Sequence, residues 1–206
     1  MQVTTLNQDG LNAAAARLAS AVAEGCRGQR YDAVIGIRRG GAYVCDAFML
    51  SFPASLCGER HDVTLQRPGT RRKGRLMSAI LKRLPVKVLD MMRIAESRIL
   101  SLRSRHAKEK EPPQVGIDSG LAAIVCDTAA PRLLLIDDAI DSGHTLSEVI
   151  ATLKKMNPSA RVETAVITET TENPLVRADY TIYRNRTLIR FPWSNDFKDT
   201  RKAPHS

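Results

Sequence analysis

The residues best suited to chemistry lie in one stretch, LLLIDDAIDSGHT, which runs from Leu133 to Thr145. Its aliphatic start predicts a strand buried on both faces, so Asp137 and Asp138 would lie at the carboxyl end of that strand. Open α/β sheets bind their ligands at this edge. Carboxylates placed there accept hydrogen bonds from the vicinal hydroxyls of a sugar, or bind a magnesium ion that the sugar shares.

The second half of the stretch has the composition of an anion-binding turn. Residues 141–145 lead from the strand into a predicted helix, so backbone N–H groups and the positive end of the helix dipole would converge there. The hydroxyls of Ser142 and Thr145 add donors. Carboxylates that accept hydrogen bonds from sugar hydroxyls, next to a turn that binds phosphate, suit a ribose 5′-phosphate. Neither the P-loop pattern G-x-x-x-x-G-K-[ST] nor the dinucleotide pattern G-x-G-x-x-G occurs.

The elements that must position this stretch alternate between strands and helices, which predicts an α/β fold with a mostly parallel sheet. The turn Arg38-Arg39-Gly40-Gly41 separates a strand from a helix, as in a βα unit. Residues 117–128 fit a helix or a strand, and we favour a helix. The predicted strands cover 31–37, 61–66, 132–136, 162–168, 179–183 and 187–191, and the predicted helices cover 11–25, 42–50, 117–128 and 145–156.

Composition excludes several classes of protein. The 206 residues suit a single domain, 1–206, and the 43% apolar and 26% charged content is globular. There is no apolar run of membrane-spanning length and no signal-peptide pattern, and the four cysteines form no C-x-x-C pair. We therefore expect a cytoplasmic protein without a zinc cluster or disulfide framework. Aromatic residues make up only 4%, which argues against binding of single strands by base stacking.

Positive charge is concentrated in one region. Residues 60–110 contain fifteen Lys and Arg against four Asp and Glu, so this segment carries the whole net charge of +9. Within it, apolar residues at helical spacing predict a basic amphipathic helical insertion over 76–107. Such a face is consistent with self-association into a homo-oligomer, with binding of nucleic-acid phosphates, or with a solvated surface.

The stretch from Leu133 to Thr145 resembles the 5-phosphoribosyl-1-pyrophosphate (PRPP) motif of type I phosphoribosyltransferases, with Ala139 as the one mild departure. The turn at 37–41 resembles the pyrophosphate loop of the same family, and 67–73 lies where that family has a basic, mobile flap. The resemblance implies a Mg²⁺-dependent enzyme in which a nitrogenous nucleophile displaces pyrophosphate from C1 of PRPP.

The resemblance also assigns roles by position. Asp141 would be the base or a hydrogen-bond acceptor near the incoming nitrogen, and His144 would be exposed, with only its backbone at the phosphate. Asp137 and Asp138 would contact the ribose hydroxyls and Mg²⁺, and the 5′-phosphate would be held by Ser142, Gly143, His144 and Thr145. The pyrophosphate would be held by Arg38, Arg39, Gly40 and Gly41. The candidate flap residues are Arg67, Arg71, Arg72 and Lys73.

The tail, residues 168–206, resembles the hood of bacterial xanthine/guanine phosphoribosyltransferases, which binds the acceptor base. Two residues depart from that pattern. Glu169 replaces a lysine that donates to the purine 6-oxo group, and Leu188 replaces the aromatic residue on which the base stacks. Glu169 would therefore either accept hydrogen bonds from an amino-bearing acceptor or be a surface residue at a strand end. Trp193 would be a hood aromatic or a packing anchor.

Two other functions remain open. The basic insertion loosely resembles that of phosphoribosyltransferases found near bacterial stress or retron defence genes, which implies a PRPP-binding effector in a nucleoprotein complex. The other alternative is sensing of PRPP or a nucleotide without chemistry. The complete set of acids and the arginine loop favour the enzyme.

Overall fold

In the computed structural model, which describes residues 2–66, 114–184, 187–194 and 196–197, six strands form one sheet. The sheet order is β4-β3-β2-β5-β6-β7, and every neighbouring pair is parallel except β3 and β4. The elements in chain order are β1 (Gln2–Thr5), α1 (Gln8–Gly25), β2 (Ala33–Arg38), α2 (Gly40–Met49), a 3₁₀ turn (Ala54–Leu56), β3 (Glu59–Gln66), β4 (Gln114–Gly116), α3 (Ser119–Asp127), β5 (Arg132–Ile140), α4 (His144–Met156), β6 (Arg161–Glu169), β7 (Tyr180–Tyr183) and β8 (Thr187–Arg190).

The central strand β5 is apolar from Leu133 to Ile136, as expected for a strand whose two faces are both covered by helices. Leu134 and Ile136 pack in the core formed with α1 and α2. Leu133 and Leu135 pack in the second core, which α3 and α4 form on the opposite face. The aliphatic residues of β5 therefore pack in two cores at once. This packing fixes the position of β5 and of the acids at its carboxyl end.

Helix α1 is defined by its ends. Asn7 caps it by accepting a hydrogen bond from the backbone N–H of Gly10 at 2.9 Å. At its other end, a Cβ on Gly25 would lie 2.5 Å from the ring of Tyr180, so glycine is needed where α1 meets β7.

A second, two-stranded parallel sheet joins the two ends of the chain. β1 pairs with β8, with Val3 opposite Leu188, and the backbone N–H of Leu6 donates to the carbonyl of Arg190 at 3.0 Å. Ile189 and Phe191 connect this small sheet to the first core. This sheet and the residues that follow it are called the hood below.

The α/β class and the mostly parallel sheet are confirmed, and 117–128 does contain a helix. Three expectations about strands were wrong or incomplete. β1 and β4 were not predicted, and β5 continues to Ile140 because residues beyond the aliphatic run still pair with β6. The four cysteines are free thiols, as expected. The predicted helical insertion, 76–107, lies outside the described residues.

Candidate functional site

The adjacent acids lie at the carboxyl end of β5, in the middle of the main sheet. Asp137 is 7% exposed, and its Oδ1 accepts a hydrogen bond from the backbone N–H of Asp138 at 2.9 Å. Asp138 Oδ2 accepts a hydrogen bond from Nε1 of Trp193 at 3.2 Å. Within the described part of the chain, no lysine or arginine forms an ion pair with either acid.

Burial makes these carboxylates unusual. Loss of solvation raises the pKa of Asp137 well above its ordinary value, and the charge of Asp138 raises it further. Burial likewise raises the pKa of Asp138, although the hydrogen bond from Trp193 acts in the opposite direction. Desolvated acids without a cation are characteristic of sites that acquire positive charge or hydroxyl donors from a ligand.

The turn after β5 leads directly into helix α4. Gly143 has a φ of 80°, and a Cβ there would lie 2.7 Å from the backbone nitrogen of Val176, so this position requires glycine on two grounds. The backbone N–H of Leu175 donates to the carbonyl of Ser142 at 2.9 Å. The start of α4 thus has a fixed conformation, and the first N–H groups of a helix point toward its N-terminal end, as an anion site needs.

Asp141 and His144 are both exposed at this turn. The exposure of His144 agrees with the expectation that its side chain points outward. Asp141 Oδ1 accepts a hydrogen bond from the hydroxyl of Thr170 at 2.5 Å, and the N–H of Thr170 donates to the carbonyl of Ile140 at 2.9 Å. Thr170, which follows β6, therefore orients the acid that was predicted to act as base. Sequence reasoning missed Thr170, because its partner lies on a different strand.

The loop between β2 and α2 packs directly on the acids. A Cβ on Gly40 would collide with the carboxylate of Asp138, and one on Gly41 would lie 2.5 Å from the carbonyl oxygen of Ile136. Only glycine lets this loop approach β5 so closely. The peptide bond between Arg38 and Arg39 is cis.

The two arginines of this loop are exposed beside the acids. Nε of Arg38 is 2.9 Å from Oδ2 of Asp62 on β3, and Asp62 also pairs with Arg60 at 2.7 Å. Arg38 is thus tethered through one nitrogen at the rim of the site. Asp62 was not singled out from the sequence, because nothing local distinguishes it from any other acid within a strand.

The two positions that depart from the xanthine/guanine pattern are buried. Glu169 is 2% exposed, its Oε1 accepts a hydrogen bond from the N–H of Ala178 at 2.9 Å, and its Oε2 lies 3.6 Å from Nη1 of Arg177. The expectation of a surface residue was therefore wrong, since the segment after β6 folds over this side chain. Leu188 is buried in β8, opposite Val3.

Trp193 lies between two other aromatic rings. Its ring centroid is 4.8 Å from that of Phe191, with the planes 5° apart, and 5.0 Å from that of Tyr43 on α2. Trp193 is therefore both a packing residue and a contact of the acidic pair.

The model brings together three of the predicted groups: the acidic pair, the turn at 141–145 and the glycine loop at 38–41. The predicted flap residues Arg67, Arg71, Arg72 and Lys73 lie outside the described residues. Where the chain is described, no group of three or more His, Cys, Asp or Glu side chains is placed to hold a metal ion. The same residues contain no helix with the length and apolar character needed to cross a membrane.

Comparison with known proteins identifies the family of this chain. A model of the phosphoribosyl transferase domain matches residues 3–200. Among solved structures, a purine phosphoribosyltransferase from Pyrococcus horikoshii is similar, with 18% identity, a TM-score of 0.56 and coverage of 94% of this chain and 95% of that one. A hypothetical protein from Neisseria gonorrhoeae with bound ppGpp shares 16% identity, with a TM-score of 0.59 and coverage of 93% and 89%.

A xanthine-guanine-hypoxanthine phosphoribosyltransferase from Helicobacter pylori shares 13% identity, with a TM-score of 0.54 and coverage of 93% and 92%. No curated protein sequence matches the chain. At these identities the structural neighbours establish the fold, and the family model covers nearly all of the sequence. The chain belongs to the phosphoribosyl transferase domain family and is a phosphoribosyltransferase.

Proposed function

We propose that the protein is a Mg²⁺-dependent enzyme that transfers the 5-phosphoribosyl group of PRPP to a nitrogenous, nucleobase-like acceptor and releases pyrophosphate. The observation that carries the proposal is the packing of Gly40 and Gly41 on Asp137 and Asp138, next to the helix-opening turn. This packing supports the proposal because it holds a basic loop against a pair of acids, and the anion-binding turn directly follows those acids in the chain.

Each group of residues has one task in binding PRPP. The backbone N–H groups of 142–145 bind the 5′-phosphate, because they lie at the start of α4, where the positive end of the helix dipole favours an anion. Asp137 and Asp138 accept hydrogen bonds from the two ribose hydroxyls. Arg38 and Arg39 neutralise the pyrophosphate, and the missing side chains of the glycines let its oxygens approach the backbone.

The acidic pair also fits a magnesium ion. Mg²⁺ in proteins is commonly bound by one or two carboxylates together with substrate oxygens, so the adjacent acids Asp137 and Asp138 suit it. Burial raises the pKa of both Asp137 and Asp138, so a cation bound beside them would favour their ionised forms. When bound, the ion would neutralise charge on the departing pyrophosphate.

Catalysis would then consist mainly of positioning and charge stabilisation. The acceptor nitrogen attacks C1 of the ribose, and its bond to C1 forms as the C1–O bond breaks. Pyrophosphate leaves with the bonding electrons, next to Arg38 and Arg39. Asp141 accepts the proton that the acceptor nitrogen loses, and the hydroxyl of Thr170 holds its carboxylate in place at 2.5 Å.

The acceptor differs from a 6-oxopurine bound in the usual way. Glu169 replaces the lysine donor and uses Oε1 to bind the backbone of Ala178, which leaves Oε2 beside Arg177. We propose that Glu169 selects acceptors that carry an amino group. Glu169→Gln should then change the order of preference among acceptors; an unaltered order would contradict this role.

A second function, nucleotide binding without transfer, has one observation in its favour. The similar Neisseria gonorrhoeae structure contains ppGpp, a nucleotide that is not an acceptor base. The effector hypothesis is separate and concerns the basic segment at 60–110, most of which lies outside the described residues. Binding of structured RNA that weakens steeply with salt would support the effector, and no binding at low salt would exclude it.

The decisive assay incubates the protein with PRPP, Mg²⁺ and a panel of nucleobases and nucleotides, including ppGpp, and identifies products by mass spectrometry. The enzyme predicts release of pyrophosphate together with one new ribosylated product. Tight binding of PRPP or ppGpp without any product would favour the nucleotide-binding alternative. Absence of both binding and turnover would overturn the proposal.

A further inference from the structure

The only tryptophan of the chain lies where the hood meets the acidic pair. Trp193 follows β8, and its indole N–H donates to Oδ2 of Asp138 at 3.2 Å. A carboxylate oxygen has two lone pairs, so this bond uses only part of what Asp138 offers. The backbone N–H of Ala139 also hydrogen-bonds this carboxyl group. The tryptophan N–H restricts the orientation of the group, and the lone pairs that neither donor uses can accept from a ligand.

The indole stacks with two other aromatic rings, which together form a clamp. Its ring centroid is 4.8 Å from that of Phe191 and 5.0 Å from that of Tyr43, so one ring of the clamp comes from the hood and the other from α2. Tyr43 is 52% exposed, which places the stack at the rim of the site. Since α2 begins at Gly40, the same helix carries the pyrophosphate loop and one face of the clamp.

The tail that carries Trp193 has a defined conformation. The N–H of Phe191 donates to the hydroxyl of Ser194 at 3.1 Å, and the N–H of Ser194 donates to the carbonyl of Phe191 at 2.9 Å. Arg190 and Asp196 form a buried ion pair at 2.9 Å. These contacts fix the turn on either side of the indole, so Trp193 is presented to Asp138 by a structured element.

From this geometry we propose that Trp193 is a positioning residue for the sugar: it orients Asp138 toward the ribose hydroxyls and so couples the hood to the ribose site. Two adjacent acidic side chains repel each other, and an unrestrained Asp138 would rotate away from Asp137. The tryptophan N–H opposes that rotation with a charge-assisted hydrogen bond. The inference rests on the proposed function, since it assumes that a ribose binds at these acids.

Trp193→Phe separates this role from packing, because phenylalanine keeps an aromatic ring in the stack and lacks the N–H. Calorimetric titration with ribose 5-phosphate and, separately, with pyrophosphate and Mg²⁺ provides the contrast. Affinity for ribose 5-phosphate should fall roughly tenfold, as for loss of a hydrogen bond to a charged group, while pyrophosphate affinity changes by less than about twofold. Tyr43→Phe keeps an aromatic ring in the stack and leaves the indole N–H of Trp193 in place. This variant is the matched control and should leave both affinities unchanged.

A second measurement uses the unaltered protein. Its single tryptophan gives one indole N–H resonance, which should shift on addition of ribose 5-phosphate and much less with pyrophosphate. If the wild-type protein binds ribose 5-phosphate and either the resonance stays in place or Trp193→Phe binds as tightly, the positioning role is wrong and the proposed function stands. If the wild-type protein binds neither ribose 5-phosphate nor PRPP, both proposals are wrong.

Discussion

Strand β5 begins and ends in partly buried polar clusters of opposite character. At its start, Arg132 donates to Oε1 of Glu163 at 2.6 Å and stacks over the ring of Tyr31 at 4.4 Å. Tyr31 and Tyr180 both donate to the other oxygen of that carboxylate, at 2.5 and 3.1 Å. At its end, Asp137 and Asp138 face each other with a backbone N–H and an indole as donors and no described cation.

The pKa of the acids shows what this difference means. Burial alone would raise the pKa of Glu163, but the hydrogen bonds from Tyr31 and Arg132 outweigh it and lower the pKa. Burial raises the pKa of Asp137 with nothing comparable to offset it. The first cluster stabilises the fold, whereas the second is an uncompensated charge pair, which is expected where a ligand completes the site.

The largest expected effect comes from replacing Asp141, the proposed base. Asp141→Asn keeps the shape of the side chain and removes its capacity to accept a proton, so turnover should fall by roughly 10²-fold. Affinity for PRPP should be largely retained. Steady-state kinetics and calorimetry measure the two effects, with Asp127→Asn at the far end of α3 as control. Unchanged turnover would refute the role of Asp141.

The glycine loop tests whether closeness to the acids matters. In Gly41→Ala the new methyl group would lie 2.5 Å from the carbonyl oxygen of Ile136 and 2.8 Å from Cα of Asp137, so the loop must move away. We expect kcat/KM to fall roughly tenfold or more. Gly10→Ala in α1, where the nearest atoms are side-chain atoms at 3.3 Å, should leave kcat/KM unchanged. Equal kinetics for the two variants would show that the approach of the loop is irrelevant.

The cluster at the start of β5 should respond in stability instead. Glu163→Gln removes the charge that Arg132 and the tyrosines bind, which should cost about 2 kcal/mol and lower the melting temperature by about 4–8 °C. The fold lowers the pKa of Glu163 from its ordinary value of 4.5, so its stabilisation is present above that pH and is lost as pH falls further. Thermal melts of both proteins from pH 3 to pH 8 should therefore converge at the acid end. A constant difference across this range would contradict the assignment.

Asp137→Asn should have the smallest effect on stability, and the opposite sign. The fold raises the pKa of Asp137 above its ordinary value of 3.8, so the ionised form destabilises the fold increasingly as pH rises above that value. Removing the charge should raise the melting temperature of the ligand-free protein by a few degrees at pH 8, and less at pH 5. Binding of PRPP should weaken in the same variant. A lower melting temperature at pH 8 would mean that the fold stabilises the charge of Asp137, as it does that of Glu163, and would contradict this prediction.

The core of this picture follows from the sequence, because it depends on local patterns. The apolar run that starts at Leu133 indicates a strand buried on both faces, and the acids and small residues after it indicate a ligand-binding turn. The helix α4 and the glycine loop follow from the same kind of pattern. Each of these features is encoded by residues that are neighbours in the chain.

The rest depends on partners that are distant in the chain. β1 is a four-residue strand whose partner, β8, lies at the opposite end of the sequence. The bonds from Thr170 to Asp141 and from Trp193 to Asp138 likewise join separate elements. The burial of Glu169 depends on how the segment after β6 folds back. No periodicity reports such contacts, so they emerge only from the tertiary structure.

A crystal structure of the protein with a non-reactive PRPP analogue and Mg²⁺ tests the proposed PRPP-binding site most directly. We predict that the 5′-phosphate contacts the backbone N–H groups of residues 142–145 and that both ribose hydroxyls contact Asp137 and Asp138, with the pyrophosphate group against Gly40 and Gly41. An analogue bound elsewhere, with the turn before α4 empty or its acids directed away from the sugar, would contradict it.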